Sequence, residues 1–79
     1  MIEEAGTVIP LSKLAAGKTG IVRRIDGGRV FVQRLAEMGT GSGTQLRVIR
    51  GKGPMIVEVK GHRLVIGRGM VDRIKVQVL

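Results

Sequence analysis

Cysteine is absent from the 79 residues, and the aromatic side chains are reduced to one, Phe31. Without thiols, neither a disulfide nor a thiolate metal site can support the fold. A single aromatic does not furnish the stacking platforms that hold single-stranded nucleic acid. Histidine occurs once, at His62, and serine twice, at Ser12 and Ser42. A hydrolase triad would need one of those serines beside His62 with an orienting carboxylate, and no local motif supplies that set. The reading is therefore a non-enzyme. No apolar run approaches the roughly 20 residues of a membrane span, and Met1-Ile2-Glu3-Glu4 lacks the basic and apolar parts of a secretory leader. A soluble chain that stays in the compartment where it is made is expected.

Acidic residues are also few. Six stand against fourteen basic ones, giving a formal charge of +8. The cations are dispersed, with only Arg23-Arg24 adjacent, so they describe a charged surface that attracts acidic partners and not a polybasic tail. What the chain does have is eleven Val, eight Ile and thirteen Gly. That composition favours short strands punctuated by turns in one small domain over residues 1–79, with 1–8 as a flexible leader.

The main interruption of the β pattern is a helix. From Val30 to Met38 there is no Gly or Pro, and Phe31, Leu35 and Met38 fall on one helical face. The helix starts near Arg29 and exposes Gln33 and Glu37. Gly39 suits its C-terminal stop, and Gly41 and Gly43 predict a loosely constrained connector. Ahead of the helix, Leu11 and Leu14 suit one inward-packed turn. Thr19 to Ile25 reads as a strand with Ile21 and Ile25 on one face and Val22 on the other, an offset that suggests a bulge near Gly20 or a strand buried partly on both faces. Asp26-Gly27-Gly28 breaks it.

After the connector, Gln45 to Arg50 points Leu46 and Val48 inward and Arg47 outward. Gly51-Lys52-Gly53-Pro54 is a turn. Met55 to Lys60 alternates, with Met55, Val57 and Val59 on one face. Gly61-His62 reverses the chain into Arg63 to Ile66, making a hairpin. Gly67 to Arg73 is turn-like, and Ile74 to Val78 is the last strand. Five strands with one helix inserted after the first predict a mostly β, small, partly open barrel that hides its apolar face and most of its edges.

Few residues in this layout suggest chemistry. A metal site would have to gather Asp26, Glu37, Glu58 and Asp72 around His62, the one candidate ligand, from distant segments. The simpler role for His62 is in the hairpin turn. Met38, Met55 and Met70 lie in apolar patterns and read as packing. Gly39-Thr40-Gly41-Ser42-Gly43 lacks the Gly-Lys-Ser/Thr ending of a phosphate loop and follows a helix instead of preceding one, and Gly67-Arg68-Gly69 has no fingerprint around it. No cofactor is implied. Duplex nucleic acid can be held by charge alone, so a basic DNA-binding barrel is an alternative reading.

The order of landmarks is more specific than any of them singly. Pro10-Leu11 through Leu14 and Gly17, Gly20-Ile21-Val22 through Ile25, Arg34-Leu35-Ala36-Glu37-Met38-Gly39 and Gly43-Thr44 together resemble the FeoA family. Pro54, Val57, Val59, Gly61, Leu64, Ile66 and Ile74-Lys75-Val76 continue the match, which spans about Ile9 to Val78. The resemblance implies an SH3-like β-barrel of the cytosol, an accessory of ferrous iron uptake whose partner is the cytosolic part of the FeoB membrane transporter. Because the same fold closes iron-dependent repressors, a detached regulatory module of that type is the second reading. The chain departs from the family pattern at Thr40 and Ser42, where an apolar residue and a proline are usual. It departs again at Gly67, Gly69 and Met70, where charged helix formers are usual.

A docking module needs apolar surface beyond what its core uses. The strand alternation leaves Ile49, Ile56, Val65 and Val71 off the main core face, and Arg47, Arg50, Arg63 and Arg68 are available as a charged rim. These eight residues form the expected partner surface, with protein and not nucleic acid as the partner.

Overall fold

The computed structural model describes residues 5–51 and 53–79. Six strands form one antiparallel sheet: β1 (Val8–Pro10), β2 (Thr19–Ile25), β3 (Gln45–Arg50), β4 (Met55–Val59), β5 (His62–Ile66) and β6 (Ile74–Val78). A 3-10 turn, Leu11–Lys13, follows β1; the main helix α1 is Arg29–Glu37, and a single helical turn, α2, is Arg68–Val71. The spatial order is β1-β6-β2-β3-β4-β5, which leaves β1 and β5 as the two edges. The expectation of a mostly β, partly open barrel with one main helix therefore holds, with six strands instead of five.

The additional strand is β1, which the local pattern hides because it is three residues long and contains Pro10. Its partner comes from the other end of the chain: Val8 faces Gln77, Ile9 faces Val76 and Pro10 faces Lys75. Proline is tolerated there because β1 is an edge and needs no second ladder of donors. Of the leader predicted over residues 1–8, positions 1–4 lie outside the described residues, while the Gly6 N–H bonds to the Val78 carbonyl at 2.6 Å. The predicted turn at 51–54 is likewise described except for position 52.

Burial follows the strand period. Leu46 and Val48 from β3, Met55, Val57 and Val59 from β4, and Ile74, Val76 and Val78 from β6 join Val22, Ile66, Leu11, Leu14, Leu35 and Val71 in one apolar cluster. Within β2 the expected separation of Ile21 from Val22 holds, but Ile25 does not share the face of Ile21. Gly20 and Val22 are buried while Ile21 is only half-buried. The β2–β6 register shifts between Val22 and Arg24, so Arg23 is the bulge residue and Ile25 comes to lie opposite Ile74. Gly20 is needed for closeness and not for a bulge. A Cβ there would sit 3.2 Å from the Gln77 carbonyl oxygen, 3.2 Å from Val76 Cβ and 3.3 Å from a Leu14 methyl.

α1 buries Leu35 completely and packs Phe31 and Met38 against the cluster, as its spacing predicts. It ends in a Schellman motif: Gly39, at φ 87°, donates to the Ala36 carbonyl at 3.0 Å, and the Thr40 N–H donates to the Leu35 carbonyl at 2.9 Å. The Thr40 hydroxyl donates to that same Leu35 oxygen at 2.9 Å, and Thr40 is fully buried. Thr40 thus adds a second helix-ending hydrogen bond at this position. The connector beyond it is not loose. Thr44 N–H bonds to the Gly41 carbonyl at 3.1 Å, and Gly43 N–H bonds to the Val22 carbonyl at 2.7 Å, which ties the loop to β2.

The β4–β5 hairpin turns on Lys60-Gly61, not on Gly61-His62. Lys60 and Gly61 have φ of 51° and 80°, the double positive that a two-residue type I′ turn requires, and Val59 pairs with His62. His62 is therefore the first residue of β5. The stretch after β5 closes into α2 despite its two glycines, with Met70 N–H bonding to the Gly67 carbonyl at 2.9 Å.

Candidate functional site

The three strands β3, β4 and β5 present one outer face, and their register determines what meets there. Ile56 on β4 faces Val65 on β5 and Arg50 on β3, and the β3 bulge between Val48 and Arg50 crowds Ile49 into the same row. One step along, Glu58 lies between Arg47 and Arg63. Six of the eight residues expected at a partner surface are thus neighbours: Ile49, Ile56 and Val65 as apolar members, Arg47, Arg50 and Arg63 around them. Val65 is 63% exposed, while Ile49 and Ile56 are half-buried.

The other two are placed differently. Val71 is 4% exposed, because α2 turns it into the core, and it is removed from the partner surface. Residues 67–73 are turn-like as expected, but the turn is helical and points Val71 inward. Arg68 is on the exposed side of α2. Its guanidinium reaches the β3–β4 turn, where a Cβ on Gly53 would lie 3.2 Å from Arg68 Nη2. It stands at the margin of the face.

Charge on this face is strongly one-sided. Glu58 Oε1 accepts from Arg47 Nη2 at 3.0 Å, an ion pair half open to solvent and worth about 0.2–1 kcal/mol. Arg50, Arg63 and Arg68 have no carboxylate partner among the described residues. Elsewhere Asp26 is held by Arg24 at 2.8 Å and approached by Lys75 at 3.9 Å, and Asp72 accepts from Ser12.

Two shallow hollows border the hairpin, each of about 380 Å³. One continues the outer face towards β2 and is lined by Thr19, Gln45, Leu46, Arg47, Glu58 and Lys60. The other lies between the end of α1 and the hairpin, where Met38, Val59 and Leu64 supply apolar wall and Lys60, His62 and Arg63 supply polar groups. His62 is exposed at this second groove, and no carboxylate shares the lining with it. Among the described residues no group of three His, Cys, Asp or Glu side chains is close enough to hold a metal ion. Met55 is buried, and Met38 and Met70 pack on the core, as their apolar patterns predict. No described helix is long and apolar enough to cross a membrane.

The groove beside α1 and the free β5 edge were not foreseen. Sheet order carries no local signal, since nothing in residues 62–66 states that only one neighbour will pair with them. Lys60 was assigned to a strand, but its positive φ places it in the hairpin turn, where it lines both hollows.

Comparison with known proteins adds the following. The FeoA domain model matches residues 9–78. A Methanocaldococcus jannaschii protein that carries the name Fe(2+) transport protein A is 42% identical over 69 residues, covering 86% of this chain and 84% of its own. The crystal structure of an iron uptake regulatory protein, FeoA, superposes with a TM-score of 0.85 at 40% identity, covering 92% of this chain and 99% of the other. IdeR of T. acidophilum superposes with a TM-score of 0.84 at 21% identity over all of this chain but 37% of its own, which is a likeness of fold.

Proposed function

The chain belongs to the FeoA family, and on that premise we propose that it is a non-enzymatic accessory of ferrous iron transport that docks on the cytosolic part of the FeoB transporter. The observation that carries this reading is the outer face of β3–β5, where Ile49, Ile56 and Val65 lie together inside a rim of Arg47, Arg50 and Arg63. Apolar side chains the core does not use suit a partner's apolar contact, and the surplus of arginine suits an acidic partner by speeding encounter and fixing orientation. Two homologous names, one for Fe(2+) transport and one for iron uptake regulation, support the same process. A role for the chain as a free regulatory module of the repressor type has only the shared fold behind it.

The test is a binding assay between the purified chain and the cytosolic part of FeoB. The Ile56→Asp variant removes the central apolar side chain of the row and sets a carboxylate opposite Arg50, and it should weaken binding about tenfold or more while the far-UV circular dichroism stays native. Absence of binding by the unaltered chain would sink the docking reading. Tight, salt-sensitive binding to duplex DNA in its place would move the function to nucleic acid.

A further inference from the structure

We infer that the free edge of β5 is a strand-addition site that takes an extended segment of a partner protein in which apolar and acidic residues alternate. The inference rests on the docking reading for the partner's identity, and it says how that partner is held.

The backbone supplies the first part. In a hairpin closed by a two-residue loop, the residues flanking the loop form a hydrogen-bonded pair, here Val59 and His62. Alternation then directs the N–H and C=O of His62, Leu64 and Ile66 to β4, and those of Arg63 and Val65 to the open side. Among the described residues no turn, loop or side-chain hydrogen bond engages the Arg63 or Val65 backbone. The edge is also unprotected compared with its counterpart. β1 is three residues long and ends in Pro10, whereas β5 is five residues long with an unbroken register and no proline.

The side chains specify the occupant. A strand laid along β5 sends alternate side chains to the two faces of the sheet. On the inner face they meet the groove whose wall is Met38, Val59 and Leu64, with Lys60, His62 and Arg63 as its polar border, and that wall suits aliphatic groups. On the outer face they meet Val65 and Arg63, with Lys60 and Arg68 beyond the two ends of β5. No carboxylate occurs between Glu58 and Asp72 in the sequence, while Lys60, Arg63 and Arg68 all do. Acidic side chains are the complement of that edge. A second copy of this chain would instead bring another +8 against it. Nucleic acid has no ladder of amides to match the exposed N–H and C=O groups.

The test uses the whole chain and a synthetic peptide of about six residues alternating Leu and Glu. The unmodified peptide should bind, and the amides of Arg63 and Val65 should gain protection from hydrogen exchange. N-methylation of alternate peptide amides, which removes donors without changing side chains, should weaken binding about tenfold or more. The Val65→Pro variant deletes an edge donor that β4 does not use and should weaken binding similarly. If that variant fails to fold, the N-methylated peptide still decides the matter. Equal affinity for the two peptides would overturn the inference, and so would unprotected Arg63 and Val65 amides in the complex. Absence of binding up to about 1 mM peptide, self-association of the chain through β5, or preference for duplex DNA would do the same. The two proposals fail separately. If the cytosolic part of the transporter binds the unaltered chain and folded Val65→Pro equally, the edge inference falls and docking stands. If the peptide adds to β5 while the transporter does not bind, docking falls and the edge stands.

Discussion

Thr40 is the only buried polar side chain among the described residues, and replacing it by valine isolates one hydrogen bond. Valine keeps the branched shape and loses the hydroxyl that donates to the Leu35 carbonyl at 2.9 Å. That carbonyl retains its bond from the Thr40 N–H, also at 2.9 Å, so no acceptor is orphaned. The cost should therefore be that of a net hydrogen bond, about 0.5–1.5 kcal/mol, and not the larger penalty of a buried unpaired group. For a domain of this size that is a fall in Tm of about 4–8 °C per kcal/mol. With no Trp or Tyr in the chain, urea unfolding is best followed by far-UV circular dichroism, with a midpoint lower by roughly 0.5–1.5 M at an m-value near 1 kcal/mol/M. Thr40→Ser is the companion variant, retaining the hydroxyl but leaving a methyl-sized gap of about 1 kcal/mol. A neutral Thr40→Val beside a costly Thr40→Ser would show that the methyl, and not the hydroxyl, secures the helix end. A loss above about 3 kcal/mol for Thr40→Val would mean that the second donor to Leu35 does not satisfy it in solution.

Gly20→Ala should destabilise the domain by about 1–3 kcal/mol in the same unfolding assay, because the added methyl meets a backbone oxygen that cannot step aside as a side-chain end would. Lys60→Asn should instead raise stability by about 0.4–1 kcal/mol, since asparagine tolerates the positive φ that lysine holds in the hairpin turn. An unchanged or lower midpoint for the asparagine variant would show that Lys60 has packing value in the turn beyond its backbone angle.

The elements whose partners lie within one amphipathic pattern were readable from the chain. β3, β4 and β6 alternate with period two, and α1 carries Phe31, Leu35 and Met38 on one face, so burial followed from spacing. What was hidden depended on distant backbone. The three residues of β1 are ordinary until β6 is beside them. The bulge at Arg23 moves Ile25 from the face of Ile21 to that of Val22, because a one-residue slip inverts every later assignment on a strand. Val71 illustrates the same point at the surface, since a single helical turn redirects a side chain that alternation left outside. Ile49, Ile56 and Val65 were legible as apolar residues beyond the core's need, but their assembly into one row came from cross-strand register.

The pairing of β1 with β6 has a mechanical consequence. Val8 stands opposite Gln77 and Pro10 opposite Lys75, so the chain enters and leaves the sheet side by side at one end of this ladder. Tension applied ahead of Val8 and beyond Val78 acts along the inter-strand hydrogen bonds, which lie perpendicular to the strands, and loads them one rung at a time. The domain is therefore a zipper to a pull on its two ends, with the outermost bonds of Gly6 and Val78 opening first and the β2–β6 ladder holding until β1 has peeled away.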